Sequence, residues 1–504
     1  MSDRFVRISL WPAFLTGLFG FAAQFYLWPE ADVTWLLSVG RRMRAGEMLY
    51  SGDLVEINLP LIMQMKAAAI AVSQWLRLDA ILVWRVTAGL LTLASFALAW
   101  RLLESTLSDC AADVRAAISV FLAAAVTSLA GVAFGQREHL IVLGFMPYVV
   151  AAGVRAQGLP IGVRTATLVG GALALAVGIK PHYALAIPCV ELALMGYLGG
   201  WRGAVRPETT VATAGVLLMA ADIKWRFPAY LSSAVPMALT YYGEYASLEV
   251  LRSEVLQMAL AVGAAFWPGL PRSIAVHSRL FAAAAVGAGG GFLLQGQGWV
   301  YHFLPAQTLA NMATGLVALS AGLTFARGLA SRRPIRWWPT SSIVAAIGLA
   351  VAFAAATGVR TLRANRGEKA HVIANVMQLV ERAWPAGRPR SVANLGISTF
   401  PAFPMAELSG AAWGSRFSCL WLMPAIEARE RLAGAGHPRD PAREYLETAV
   451  VEDFVRWRPT LVVVERDTPR ILDDMLKAPA FRDQWRHYQP AGEVDDVAVF
   501  VRRD

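Results

Sequence analysis

Apolar stretches long enough to cross a bilayer recur from residue 10 to residue 359, joined by short polar connections. A spanning helix needs about 20 mainly apolar residues. On that template about eleven spans follow: 10–28, 80–102, 114–134, 139–155, 164–180, 183–199, 209–222, 254–270, 279–296, 303–326 and 341–359. Only 16% of the residues are charged and 56% are hydrophobic, whereas a soluble domain carries about 25% charged residues. The expectation is a mainly α, polytopic helical membrane domain over residues 1–360.

The formal net charge is +10, yet the basic residues do not form a nucleic-acid surface. They sit in short clusters between apolar runs: Arg4 and Arg7, Arg155 and Arg164, Arg202 and Arg206, Arg272 and Arg279, and Arg327, Arg332, Arg333 and Arg336. With alternating spans these fall on one side, which the positive-inside rule makes cytoplasmic. The amino terminus is then inside and the carboxyl terminus outside. Three cysteines, Cys110, Cys189 and Cys419, are too few for a disulfide framework.

That parity sends the unusual polar residues to the outer face. They lie in the segment 29–79, in Gly135-Gln136-Arg137-Glu138-His139, in Lys180-Pro181-His182-Tyr183, in 222–253, and in Gln297 to His302. Between Gly46 and Leu76 the pattern reads as short amphipathic helices, with Met63, Ala67, Ile70 and Ala71 on one face and Lys66 and Gln74 on the wet side. Segment 222–253 is aromatic-rich, with Trp225, Phe227, Tyr230, Tyr241, Tyr242 and Tyr245 around Glu244.

Past Arg360 the pattern changes to that of an α/β domain over 361–504. Helices are expected at 366–384, 441–457 and 480–488, and strands at 391–395, 461–464 and 497–501. Between the first strand and the second helix, Thr399 to Pro424 is rich in Phe, Trp, Pro and Gly, as in a loop that leans on a membrane or an active site.

Several residues have the chemistry for group transfer at a membrane surface. Asp32 follows the first span by about one helical turn; it reads as a general base or as the N-cap of a helix starting at Val33. Asp53 and Glu56 are second acidic candidates for acceptor hydroxyls or, with Asp32, for a divalent cation such as Mg²⁺ or Mn²⁺, which no ligand spacing demands. Arg137, with Glu138 to orient it, reads as a phosphate contact or a structural ion pair. Lys180 reads as a phosphate anchor or a helix-end lysine reaching for the headgroups. His182 and His302, beside Tyr301, complete the set. Arg41 and Arg42 read as solvent- or headgroup-facing, and Gly287, Gly289, Gly290 and Gly291 as sites of close helix packing. No P-loop, dinucleotide fingerprint or cysteine ligand set is present.

The run from Asp32 through Arg42, Gly46, Leu49-Tyr50, Asp53, Glu56 and Asn58-Leu59-Pro60-Leu61 resembles the first outer loop of GT-C glycosyltransferases, polytopic enzymes that use polyprenyl-phosphate-linked sugars. Leu59 stands where the family turn has its first proline. Tyr301-His302-Phe303-Leu304-Pro305 is similar to an element at the outer start of a late helix in that group. The resemblance implies a GT-C-like membrane domain with a carboxyl-terminal exported α/β domain, in the bacterial inner membrane. It implies an inverting transfer from a polyprenyl-phosphate-linked donor to a cell-envelope glycan or lipid acceptor. Asp32 would be the base, Arg137, Lys180, His182 and His302 would hold the donor phosphate, and Asp53, Glu56, Glu138 and Tyr301 would lie on the acceptor or second acidic site. Membrane lipids are the surroundings and nucleic acid is not a partner. The rival readings are a lipid or glycan transporter and a non-catalytic scaffold subunit of an envelope-assembly complex.

Overall fold

The computed structural model describes residues 3–200, 203, 205–242, 248–296, 299–331, 368–434, 438–466 and 471–503. The expected span 341–359, the domain boundary at 360, Gln297, Gly298, Glu244 and Tyr245 lie outside the described residues, as do Arg202, Arg332, Arg333 and Arg336. In chain order the helices are α1 (Asp3–Ala23), α2 (Ala31–Arg44), α3 (Pro60–Leu76), α4 (Ala80–Glu104), α5 (Ala112–Thr127), α6 (Arg137–Ala156) and α7 (Val163–Ile179). They continue with α8 (Ala186–Leu198), α9 (Pro207–Arg226), α10 (Val235–Tyr241), α11 (Leu248–Ala265), α12 (Arg272–Gln295) and α13 (Leu304–Ser331). Then come α14 (Glu368–Ala383), β1 (Ser391–Leu395), α15 (Ala402–Leu408), β2 (Ala412–Trp413), α16 (Met423–Ala433) and α17 (Pro441–Trp457). The chain closes with β3 (Leu461–Glu465), α18 (Ile471–Met475), α19 (Pro479–Trp485), β4 (Tyr488–Val494) and β5 (Val497–Arg502).

Each expected span inside the described residues coincides with a helix. Among the described residues, three segments, Ala80–Glu104, Arg137–Ala156 and Tyr301–Phe325, are long and apolar enough on their own to cross a membrane. The segments 164–180 and 183–199 are two separate helices, joined by a 3₁₀ turn over Pro181–Leu185.

The chain divides into two compact units, and the division differs from the expected cut. One unit holds residues 1–27, 84–222 and 245–362; the other holds 28–83, 223–244 and 363–504. Segment 29–79, expected to belong to the membrane domain, therefore clusters with the tail, as do Ile223 to Glu244 of the aromatic segment.

The first unit is a helical bundle around α6, which is buried almost along its whole length. Small residues permit its close packing. A Cβ on Gly153 would stand 2.4 Å from the ring of the buried His277, and one on Gly144 would stand 2.4 Å from the Ala172 carbonyl. Arg155 and Arg206 are not simple loop cations. Arg206 pairs with Glu191 and Glu208, Arg155 pairs with Glu208, and the Tyr148 hydroxyl donates to Glu191 at 2.5 Å.

The second unit is built on a five-stranded sheet of order β2-β1-β3-β5-β4, in which β1 is parallel to β2 and β3 and the remaining pairs are antiparallel. Val55, Leu395, Phe417, Met423, Ile426, Phe454 and Val462 share its core. α2 and α3 pack so closely that a Cβ on Gly40 would meet the Ala67 backbone nitrogen at 2.7 Å. Met63 and Ile70 of α3 are buried as expected, but Lys66 is buried too, at 1% exposure, because this backbone approach encloses it. Gln74 is exposed as expected, and the apolar Val72, Trp75 and Leu76 are exposed beside it.

Candidate functional site

The residues singled out by sequence fall into two groups, one in each unit. In the first unit, Glu138 is the second residue of α6, Lys180 caps α7 in an extended conformation, and His302 lies in the 3₁₀ turn Val300–Phe303 before α13. The Lys180 ammonium pairs with Glu138 Oε1, and His302 Nε2 stands 3.7 Å from that same oxygen. All three side chains are buried. Lys180 is thus an ion-paired interior cation, a geometry that differs from that of a lysine reaching for headgroups. Arg137, also buried, acts electrostatically on His182 and His302.

Two elements position this group. The Tyr183 hydroxyl donates to the His302 carbonyl, tying the Pro181–Leu185 turn to the Val300–Phe303 turn. The glycines of α12 let that first turn sit against the helix. A Cβ on Gly287 would stand 2.5 Å from the Leu185 carbonyl oxygen, and one on Gly291 would stand 2.8 Å from that of His182. At the end of the same helix is Gln295, which sequence reasoning passed over. Its Nε2 lies 3.3 Å from His302 Nε2. Burial, and then the neighbouring Lys180, push the His182 imidazole down to about 3. His139, in contrast, is structural: Nδ1 accepts from Gly135 N at 3.1 Å and Nε2 meets the Val126 carbonyl at 2.8 Å. Tyr301 stacks edge-on against His302 at 4.3 Å. An apolar cavity of about 550 Å³, lined by Phe14, Phe21, Leu90, Phe96 and Trp100, shares no residue with the group.

In the second unit, Asp32 lies in the first turn of α2 and is half-buried. It is not the N-cap. Glu30 is, its Oε2 accepting from Val33 N at 3.2 Å. Capping needs one side-chain acceptor at the residue whose backbone is still extended, and Glu30 occupies that position. One turn on, the Trp35 ring packs against Phe403 and Trp413 of the tail, and its Nε1 donates to Glu56 at 2.7 Å.

The second acidic candidates are engaged in organising the loop after α2. Glu56, 7% exposed, also accepts from Ile57 N, Asn58 N and Asn58 Nδ2 at 2.8, 3.0 and 2.6 Å. Asp53 pairs with Arg456 at 2.6 Å, and that hydrogen bond holds its carboxyl below the usual carboxylate range. The Tyr50 hydroxyl donates to the Asn58 carbonyl, and burial raises its pKa. Among the described residues no group of three or more His, Cys, Asp and Glu is placed to hold a metal ion. A cation on Asp32 and Asp53 would have to draw Asp53 from Arg456.

Arg41 is exposed as expected, although paired, and Arg42 departs from expectation. Arg41 makes a two-point contact with Glu407 at 2.8 and 2.5 Å. Arg42 is buried and donates to Glu47 at 2.7 Å, the Ser415 carbonyl at 2.6 Å and the Asp53 carbonyl at 2.9 Å, with Trp457 beneath it. Sequence reasoning missed these roles because the partners lie up to 373 residues away.

Comparison with known proteins finds no matching family model and no matching curated relative. Among solved structures, the chain is similar to ArnT from Cupriavidus metallidurans, solved bound to undecaprenyl phosphate. The match covers 99% of this chain and 98% of that one, with a TM-score of 0.55 and 11% sequence identity. The fold of this chain is therefore similar to that of ArnT along nearly its whole length.

Proposed function

We propose that this protein is a membrane glycosyltransferase. It moves a sugar from a polyprenyl-phosphate-linked donor to a cell-envelope glycan or lipid acceptor at the outer face of the bacterial inner membrane. The observation that carries the reading is the ArnT-like fold along nearly the whole chain, since that neighbour was solved with undecaprenyl phosphate. The buried Lys180, Arg137 and His302 group supplies the matching chemistry.

In the proposed reaction Asp32 takes the proton of the acceptor hydroxyl. The oxygen attacks the anomeric carbon, the bond from that carbon to the phosphate oxygen breaks, and the polyprenyl phosphate leaves with the electron pair. Configuration inverts. Lys180, Arg137, His182 and His302 hold the phosphate charge, and in a water-poor site such contacts are worth far more than in solution. The α/β tail, exported with the carboxyl terminus, is assigned to acceptor binding. Packing of Phe403 and Trp413 on the helix that carries Asp32 supports this.

The test is sugar transfer by the full-length protein, reconstituted in lipid and given a panel of polyprenyl-phospho-sugars. Transfer from at least one donor, lost in Asp32→Asn, is the expected result. Equal turnover by that variant would remove Asp32 as the base, and no turnover or binding with any lipid phosphate would remove the reading.

A further inference from the structure

Among the described residues, Glu138 Oε2 and His302 Nδ1, each on a fully buried side chain of the first unit, have no partner inside the protein. They come from different elements, yet both belong to the Lys180 group. Their other polar atoms are engaged. Lys180 holds Glu138 Oε1, and Gln295 Nε2 stands 3.3 Å from His302 Nε2. A buried polar atom left unpaired costs about 1–3 kcal/mol. Two in one cluster mark a place that a ligand completes.

The two atoms differ in kind. We assign the tautomer in which the Gln295 amide nitrogen donates, His302 Nε2 accepts and the imidazole proton rests on Nδ1. His302 then offers an N–H that can only donate, and Glu138 Oε2 can only accept. A phosphodiester brings acceptors alone. It suits His302 and Lys180 but repels Glu138 Oε2, which needs a hydroxyl. A single ligand that meets both carries a hydroxyl close to a phosphate.

We infer that Glu138 accepts a hydrogen bond from a hydroxyl of the donor's sugar while His302 Nδ1–H donates to the adjoining phosphate. Glu138 is then a specificity-determining residue for the sugar, and Gln295 a positioning residue that sets the His302 tautomer. The inference rests on the glycosyltransferase reading and extends it from the lipid phosphate to the sugar beside it. Gln295 and His182 are the half-buried members of the group.

The experiment measures binding to the full-length protein in lipid nanodiscs. The probes are undecaprenyl phosphate, an undecaprenyl-phospho-hexose and the matching set of monodeoxyhexose lipids. The wild type should prefer the hexose over one deoxy analogue by about tenfold or more, as a site built around a hydroxyl does. Glu138→Leu combined with Lys180→Met, which removes both members of the ion pair, should bring that preference close to unity. Gln295→Met should keep the preference but weaken binding of every lipid phosphate by about tenfold, the loss of one good hydrogen bond. A preference that survives removal of Glu138, or a wild type that binds the lipids without preference, overturns the inference and leaves the broader reading standing. Unchanged affinity in Gln295→Met overturns the positioning role. A wild type that binds none of the three lipid classes overturns the glycosyltransferase reading itself.

Discussion

The Arg42 guanidinium donates to the backbone carbonyl of Ser415 at 2.6 Å, joining the helix after the first apolar span to the tail's second-strand loop. The same group serves Glu47 and the Asp53 carbonyl, and a parallel tie runs from Val55 N to the Arg416 carbonyl at 2.9 Å. Arg416 is held in turn by Asp453 at 2.7 Å. The early segment and the tail are thus one folding unit built from distant pieces of chain.

Arg42→Ala should loosen that unit. It leaves Glu47 and two carbonyls short of a donor in a buried setting, a change that costs about 3–5 kcal/mol. Arg42→Lys should restore little, because a point charge cannot reproduce the planar fork that reaches three acceptors. A lowered Tm and faster tryptic cleavage after Arg416 would register the effect. Wild-type resistance in both variants would show that the joint lies elsewhere.

Asp32→Asn should abolish transfer without unfolding α2. General-base removal costs about 10²–10⁴ in rate, whereas Glu30 keeps the helix capped. Glu30→Ala should show the reverse, a loss of about 1 kcal/mol in stability with a far smaller effect on turnover. The pair is compared by thermal melting alongside initial rates.

The Asp53–Arg456 contact predicts a small acid-side loss of stability. Arg456 holds the Asp53 carboxyl below its ordinary value. The contribution is therefore fully present above the unfolded pKa of about 3.9 and disappears as pH falls through the lower folded value. Arg456 is about half exposed, so solvent screening limits the contribution to about 1 kcal/mol or less. Asp53→Asn should flatten the stability profile below about pH 4, and salt should do the same to the wild type.

Lys180→Met should destabilise the first unit more than the double change Lys180→Met with Glu138→Gln. Removing one partner strands a buried charge at about 3–5 kcal/mol, whereas removing both strands none. A double-mutant cycle on Tm would read the coupling, and additive losses would argue against the pair as described. Both variants should lose affinity for undecaprenyl phosphate.

How much of this was legible beforehand differs from element to element. Helix positions were, because a run of about 20 apolar residues reports its own length and role. Strands β1, β3 and β5 were legible as short β-branched or apolar runs. β4 was not, since Tyr488–Val494 carries Pro490 and Gly492 with a register shift between them and exposes most of its residues, as an edge strand can.

Composition, spacing and local pattern alone determined that this chain is a multi-helix protein with segments apolar enough to span a membrane and an α/β tail, and named Glu138, Lys180 and His302 as polar residues at the ends of apolar segments. Only the tertiary structure decided that Glu138 takes Lys180, that Glu30 and not Asp32 caps α2, and that residues 28–83 fold with the tail. Local pattern reports what each segment must hide from water. Which group satisfies a buried charge or donor is settled by partners that the chain brings back from tens to hundreds of residues away.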